Sequence, residues 1–363
     1  MKYFFALLIL VHGLIHLMGF VKAFEFGHIT QLTKEIPKSI GIFWLIATAL
    51  FILATLLLLL NKSFWPAAAI IAVLVSQVLV VSTWQDAKFG TIANVIILIV
   101  ATLTWTTQRF ESRFKKDVQT HLQKSNAIST DILTEDDLQP LPLPVQKYLQ
   151  YARVVGKPKV KNVKIVFDGK MRGREQDWFK FRSIQYNFFE DPTRLFFMKA
   201  QMFGITVPGY HEYQDETATM DIRLFGLFTV AQAKGPEMNQ TETVTLFNDM
   251  CIMAPSTLID KRIEWETIDS TAVKAVFTNG ANKISAALYF NETGQLLNFV
   301  SDDRYDVNAM KQYRFSTPMK NYQQIDGRYV PVYGEAIWHY TEGEFVYGQF
   351  VLKSIEYNML AFQ

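Results

Sequence analysis

The chain has 363 residues, half of them hydrophobic, and a formal net charge of +2. That length exceeds one ordinary domain, and the near-neutral balance excludes the broad basic field of a nucleic-acid-binding protein. A single cysteine, Cys251, excludes any intramolecular disulfide.

The long apolar runs are confined to residues 1–108. Four segments reach the roughly 20 apolar residues that a spanning helix needs: Tyr3–Val21, Ile40–Leu60, Pro66–Trp84 and Thr91–Gln108. Trp44, Trp65, Trp84 and Trp105 fall near their ends, where an interfacial indole is expected. Lys2 ahead of the first run resembles a signal-peptide start, but no small-residue cleavage site follows and three more spans do, so the run is read as retained. Basic residues set the orientation. One side receives Lys2, Lys62, Arg109, Arg113, Lys115 and Lys116, and the other Lys22, Lys34, Lys38 and Lys88. That majority predicts a multi-pass inner (cytoplasmic) membrane protein with its soluble part in the cytoplasm.

Two polar features interrupt this half. His12 and His16 are four residues apart and share a helix face. Such a pair could bind a metal or haem, but the only other nearby histidine, His28, falls in a loop. Interhelical hydrogen bonding is therefore the plainer reading. Asp86 and Lys88 fall in the turn before the fourth span, where they are expected to pair with each other or to cap that helix, with a proton relay to the histidines as the sharper alternative.

Residues 109–143 read as a charged linker with cap signals at Thr130-Asp131 and Thr134-Glu135-Asp136-Asp137. A short helix follows: Pro144 suits its first turn, and Val145, Tyr148, Leu149 and Ala152 form an apolar stripe. From Val160 the dominant period is two. Val163, Ile165 and Phe167 form one row; Ile284, Ala286, Leu288 and Phe290 form another. Turn signals at Asn279-Gly280, Asn291–Gly294 and Asp326-Gly327 punctuate the runs. The pattern predicts an antiparallel meander of ten to twelve strands. One helix breaks it: Thr241 is the expected N-cap, Val244, Phe247, Cys251 and Ala254 make a stripe, and Pro255 ends it. Met250, Ile252 and Met253 make it apolar nearly all round, so it is expected to be buried. The fold class is thus a four-helix transmembrane domain (1–108), a linker, and an α+β half-barrel (144–363) curled over a buried helix.

The stretches WQDAKFGTIAN, LPLPVQKYL, FDGKMR, VPGYHEY, TMDIRLFGLFTV, ETVTLFNDMCIMAPSTLID and LYFNETGQLLNFVSDDRY resemble a family of uncharacterised bacterial membrane proteins, a domain of unknown function. The resemblance covers most of the chain from residue 84 and implies fold and membrane context, with no activity attached. The meander around a helix is also similar to the fold of the bacterial lipoprotein carriers of outer-membrane sorting. Those carriers act in the periplasm, whereas the charge count places this domain in the cytoplasm.

No GxSxG, HExxH, CxxC or phosphate loop is present. Cys251, inside the apolar helix, reads as inert packing. Asn248, Asp249, Asp260, Glu264 and Ser301–Arg304 form the densest polar cluster. A carboxylate on a buried helix needs a cation, so Asp249 is expected to pair with Arg223 or Arg304, either as a structural plug or as a pocket floor that positions a polar head group. His211 follows a Pro-Gly pair and is a candidate to face the cavity. The ligand-binding candidates are therefore Asp249, Asp302, Arg304, Arg223 and His211. No cofactor is called for. The reading is a membrane-anchored binding module for an apolar, lipid-like ligand, drawn from membrane lipid or apolar small molecules. The rivals are an enzyme on a lipidic substrate using Asp249, Asp302 and His211, and a scaffold for another membrane protein.

Overall fold

The computed structural model describes residues 1–125, 131–202, 204–307 and 309–362. Thr130 of the first cap signal lies outside these described residues. The chain divides into two compact units, Met1–Phe110 with Phe225–Leu227, and Glu111–Leu224 with Phe228–Gln363.

The first unit holds α1 (Lys2–Ile15), α2 (Leu17–Ala23), α3 (Lys38–Leu59), α4 (Trp65–Ser82), the short α5 (Trp84–Ala87) and the start of α6 (Gly90–Lys124). The first span comprises α1 and α2, with a break at His16, and four candidate spans in all are long and apolar enough to cross a membrane. By length and composition these mark a membrane protein. Small residues allow close packing, as is usual between spanning helices. A Cβ added at Gly13 or Gly19 would overlap Phe51 or Trp44 of α3. Trp84 and Trp105 are exposed, but Trp44 and Trp65 are buried among the helices, so only two of the four tryptophans match the interfacial expectation. Asp86 does not pair with Lys88 or cap α6. It accepts bonds from the Thr33 backbone N–H (2.7 Å), the Thr33 hydroxyl (2.8 Å) and the Lys34 N–H (3.3 Å), and so ties down the loop before α3.

In the second unit the residues expected to be linker remain helical to Lys124, because α6 is continuous. Phe114, Val118 and Leu122 recur every four residues and are buried. Phe114 packs on Tyr186, Phe197 and Tyr210 of the sheet. Arg113 pairs with Glu212, and Tyr210 donates to Asp117 (3.0 Å). Next come α7 (Glu135–Leu138), with the Thr134–Asp137 capping box in place, and α8 (Leu143–Tyr151), whose Val145, Tyr148 and Leu149 are fully buried, as is Ala152 at its C-cap.

The first meander runs through β1 (Asn162–Met171), β2 (Phe179–Phe188), β3 (Thr193–Met202), β4 (Ile205–Gln214), β5 (Thr217–Leu224) and β6 (Phe228–Lys234). Helix α9 (Pro236–Met253) and a 3-10 turn (Pro255–Ile259) then lead to β7 (Ile263–Thr267), β8 (Ala272–Asn279), β9 (Asn282–Phe290) and β10 (Leu296–Ser301). A small ribbon, β11 (Tyr305–Asp306) with β12 (Lys311–Gln312), precedes the long β13 (Arg314–Ile325), β14 (Arg328–Tyr340) and β15 (Gly343–Tyr357). Thirteen strands make one antiparallel sheet in the order β6-β5-β4-β3-β2-β1-β15-β14-β13-β10-β9-β8-β7. Its sequence-first and sequence-last strands meet in the middle, where Val163 pairs with Tyr357. The two edges, β6 and β7, flank α9 in sequence, so the helix joins one edge to the other across one face. This is the open half-barrel curled over a helix, with more strands than the ten to twelve expected.

Helix α9 starts at Pro236, with Gly235 as N-cap, so Thr241 lies inside it rather than capping it. Twelve of its side chains are buried. Phe247 stacks on Phe277 with centroids 5.2 Å apart and rings 11° from parallel. Two free carbonyls of its last turn are capped by tyrosine hydroxyls: Tyr148 donates to the Cys251 oxygen (2.7 Å) and Tyr357 to that of Met253 (3.0 Å). Buried phenols and carbonyls thereby satisfy each other, which fixes how far the helix sits along the sheet.

An apolar cleft around a buried arginine

Between α9 and the strands it covers lies an open cleft with about 140 Å³ of interior space. Alternation builds the wall. Phe167 and Met171 come from one face of β1, Phe196 from β3, Phe315 and Met319 from β13, and Ala336 from β14. Ile252 and Met253 of α9 contribute from above, with Tyr347 and Phe350 from β15. The apolar part of the lining is largely aromatic and sulfur-bearing, and adaptable methionine suits an irregular apolar guest.

The charged groups gather at Arg194 of β3, which is 6% exposed. Its Nη1 donates to Glu242 Oε2 (2.9 Å), its Nε to Asp249 Oδ2 (2.8 Å), and its Nη2 to Gln185 Oε1 (3.1 Å). Asp249 Oδ2 also accepts from Gln185 Nε2 (2.6 Å) and Asn187 Nδ2 (3.1 Å). Glu242 Oε1 lies 3.1 Å from His211 Nδ1. Burial pushes the Glu242 carboxyl up, but Arg194 and His211 outweigh it and hold the group at about 2. Glu242 is therefore ionised at neutral pH.

Asp249 and His211 do face this cleft, as does Arg304. The pairing differs from expectation. Asp249 binds Arg194, while Arg223 Nη2 pairs with Asp221 (2.7 Å) and Arg304 Nη1 donates to the Tyr347 hydroxyl (2.6 Å). Arg223 does not line the cleft. Asp302 is exposed, pairs with Arg314 Nε (2.9 Å), and borders a shallow hollow with Lys274, His339 and Glu344 instead. Asp260 is paired with Arg262, and Glu264 is exposed. Arg194 and Glu242 were missed. The available signal was a lone arginine in the row Arg194, Phe196, Met198, Ala200, hidden because Leu195 and Phe197 make the opposite row just as apolar. Glu242 directly follows Thr241, and an acidic residue in a first helical turn needs no buried cation.

In the first unit, His12 Nε2 lies 2.8 Å from Asn94 Oδ1 and His16 Nε2 2.8 Å from Ser76 Oγ, with His16 Nδ1 bonding the His12 carbonyl (2.9 Å). Asn94 Nδ2 donates to Ser76 (2.9 Å) and Gln77 (3.0 Å). These are the interhelical bonds expected of the pair. Among the described residues no three His, Cys, Asp or Glu side chains come together as metal ligands.

A model for a family of unknown function, DUF6544, matches residues 131–350. The chain belongs to the DUF6544 family. The match spans the whole cleft, including Arg194, Glu242, Asp249 and Arg304, so the site lies in the DUF6544 part of the chain. No curated protein matches it. Two solved structures are similar in part. A LolA superfamily protein from Nitrosomonas europaea is 8% identical with a TM-score of 0.35, over 59% of this chain and 91% of that one. A β-barrel-like protein of the domain of unknown function DUF1849 from Brucella abortus is 9% identical with a TM-score of 0.16, over 55% and 98%.

Proposed function

We propose that the half-barrel is a binding module for an apolar, lipid-like ligand, tethered to a membrane by the four N-terminal helices. The observation that carries this reading is the cleft itself: an apolar wall with a few convergent polar groups, carried on a chain with four candidate spans. A fully packed core would leave no such space. The acid–base alternative loses ground because only two of its three candidates, Asp249 and His211, reach the cleft. Asp302 lies outside the cleft, and Asp249 and Glu242 are both engaged by Arg194.

The test is native mass spectrometry of the full chain purified in a non-ionic detergent. The expected result is a co-purifying amphiphile at about one per chain, lost in Gly334→Phe. A Cβ at Gly334 meets only Pro318 O at 3.7 Å and Thr317 Cγ2 at 3.9 Å, so a phenylalanine there can occupy the cleft without striking backbone at once. Wild-type protein that carries no amphiphile counts against the reading. We also propose that the half-barrel faces the cytoplasm, supported by Arg109, Arg113, Lys115 and Lys116 after the last span. An active periplasmic phosphatase fused after residue 363 would place it on the other side.

A further inference from the structure

Three buried polar atoms without hydrogen-bond partners belong to side chains that line the cleft: Arg304 Nε, Thr317 Oγ1 and Asn248 Oδ1. An orphaned buried polar atom is costly, and three around one cavity point to something that pairs with them when bound. Their chemistry indicates what that is. The Arg304 guanidinium rests over Phe315 (4.2 Å) and Trp338 (5.1 Å), which fixes its plane. Tyr347 takes Nη1, and among the described residues no carboxylate lies within ion-pair distance of it. The cleft's two carboxylates, by contrast, are both in contact with Arg194, and Glu242 also lies beside His211 Nδ1. Arg304 is therefore the cleft guanidinium with no carboxylate in contact, its charge reaching Glu242 only at longer range. Thr317 supplies a hydroxyl donor to the same cleft, two residues along β13 from the Phe315 on which Arg304 rests. Asn248, 8% exposed on α9, offers an amide that presents either its oxygen or, turned over, its N–H₂.

Resting on the binding reading above, we propose that the ligand is an anionic amphiphile, with an apolar chain along the Phe/Met wall and a carboxylate or phosphate head held by Arg304 and Thr317. A planar guanidinium bonds either head through two parallel N–H groups.

The test measures binding to the full chain in non-ionic detergent at pH 8, using oleate and dodecyl phosphate against their uncharged counterparts, methyl oleate and dodecanol. The charged members should bind about ten- to a hundredfold more tightly, the range for hydrogen bonds to a charged group. Arg304→Gln should level each pair while leaving methyl oleate and dodecanol unchanged. Equal binding of acid and neutral forms in both proteins overturns the anionic head and leaves the apolar cleft standing. Binding of neither form overturns both. Inorganic phosphate or acetate that raises the melting temperature through Arg304, with no gain from an acyl chain, assigns the site to a soluble anion and overturns the amphiphile. Should Arg304→Gln fail to fold, Thr317→Val is the substitute. A lower acid-to-neutral ratio supports the proposal, and an unchanged ratio overturns it.

Discussion

Replacing Arg194 with methionine removes one cation and strands two carboxylates. Glu242 and Asp249 have side chains only 2% and 13% exposed, so water cannot take over from the lost guanidinium. Breaking a buried ion pair from one side costs about 3–5 kcal/mol. For a domain of this size that lowers the melting temperature by roughly 10 °C. The deficit should also depend on pH, and the sign follows from Glu242. In the wild type its folded value of about 2 lies below its ordinary 4.5, so its stabilising contribution is complete above 4.5 and is lost as pH falls through about 2. In Arg194→Met the coulombic pull of Arg194 is gone and burial remains, so the folded carboxyl binds its proton more readily than before. The variant therefore regains stability relative to wild type as pH falls from 7 towards 4.5. Melts of the full chain in detergent, followed by tryptophan fluorescence at both pH values, read both effects. A midpoint within about 2 °C of wild type at pH 7 would refute the buried triad, since that corresponds to less than about 1 kcal/mol.

Tyr148→Phe deletes the hydroxyl that caps the Cys251 carbonyl and should cost about 1–3 kcal/mol, read from the same melts, because the carbonyl stays buried without a partner. Cys251 is fully buried and burial pushes its thiol up, so maleimide labelling at pH 7 should wait for unfolding; rapid labelling of the folded chain would misplace α9. Asp302→Ala should leave both the melting temperature and amphiphile binding unchanged, since Asp302 is exposed and outside the cleft; lost binding in titrations would contradict that placement.

The parts of this fold that could be read in the sequence are those where one residue pattern admits one structure. Four apolar runs have nowhere to go but a membrane, and alternating rows such as Ile284, Ala286, Leu288 and Phe290 have one buried face. Helix α9 announced its burial by being apolar on several faces. What stayed hidden was decided by tertiary contact. The stripe Phe114, Val118, Leu122 is interleaved with Lys115, Lys116 and Asp117, and charge density there reads as linker until a sheet is present to pack against. The partner of Asp249 was illegible for a related reason. With β3 apolar on both faces, alternation does not tell which row looks at the helix, and Arg223, Arg304 and Arg194 are equivalent until the strands are ordered. The orphaned atoms of Arg304, Thr317 and Asn248 come from the loop after β10, from β13 and from α9, and only the folded cleft brings them together.

The most direct test of the central claim is photolabelling of the full chain, in native membranes, with a long-chain fatty acid carrying a diazirine on its tail, followed by peptide mapping. The account predicts adducts on the cleft wall, at Phe167, Phe196, Met319 and Phe350, that excess oleate competes away and Gly334→Phe abolishes. Adducts confined to the apolar helices of residues 2–108, indifferent to oleate and to Gly334→Phe, would contradict it.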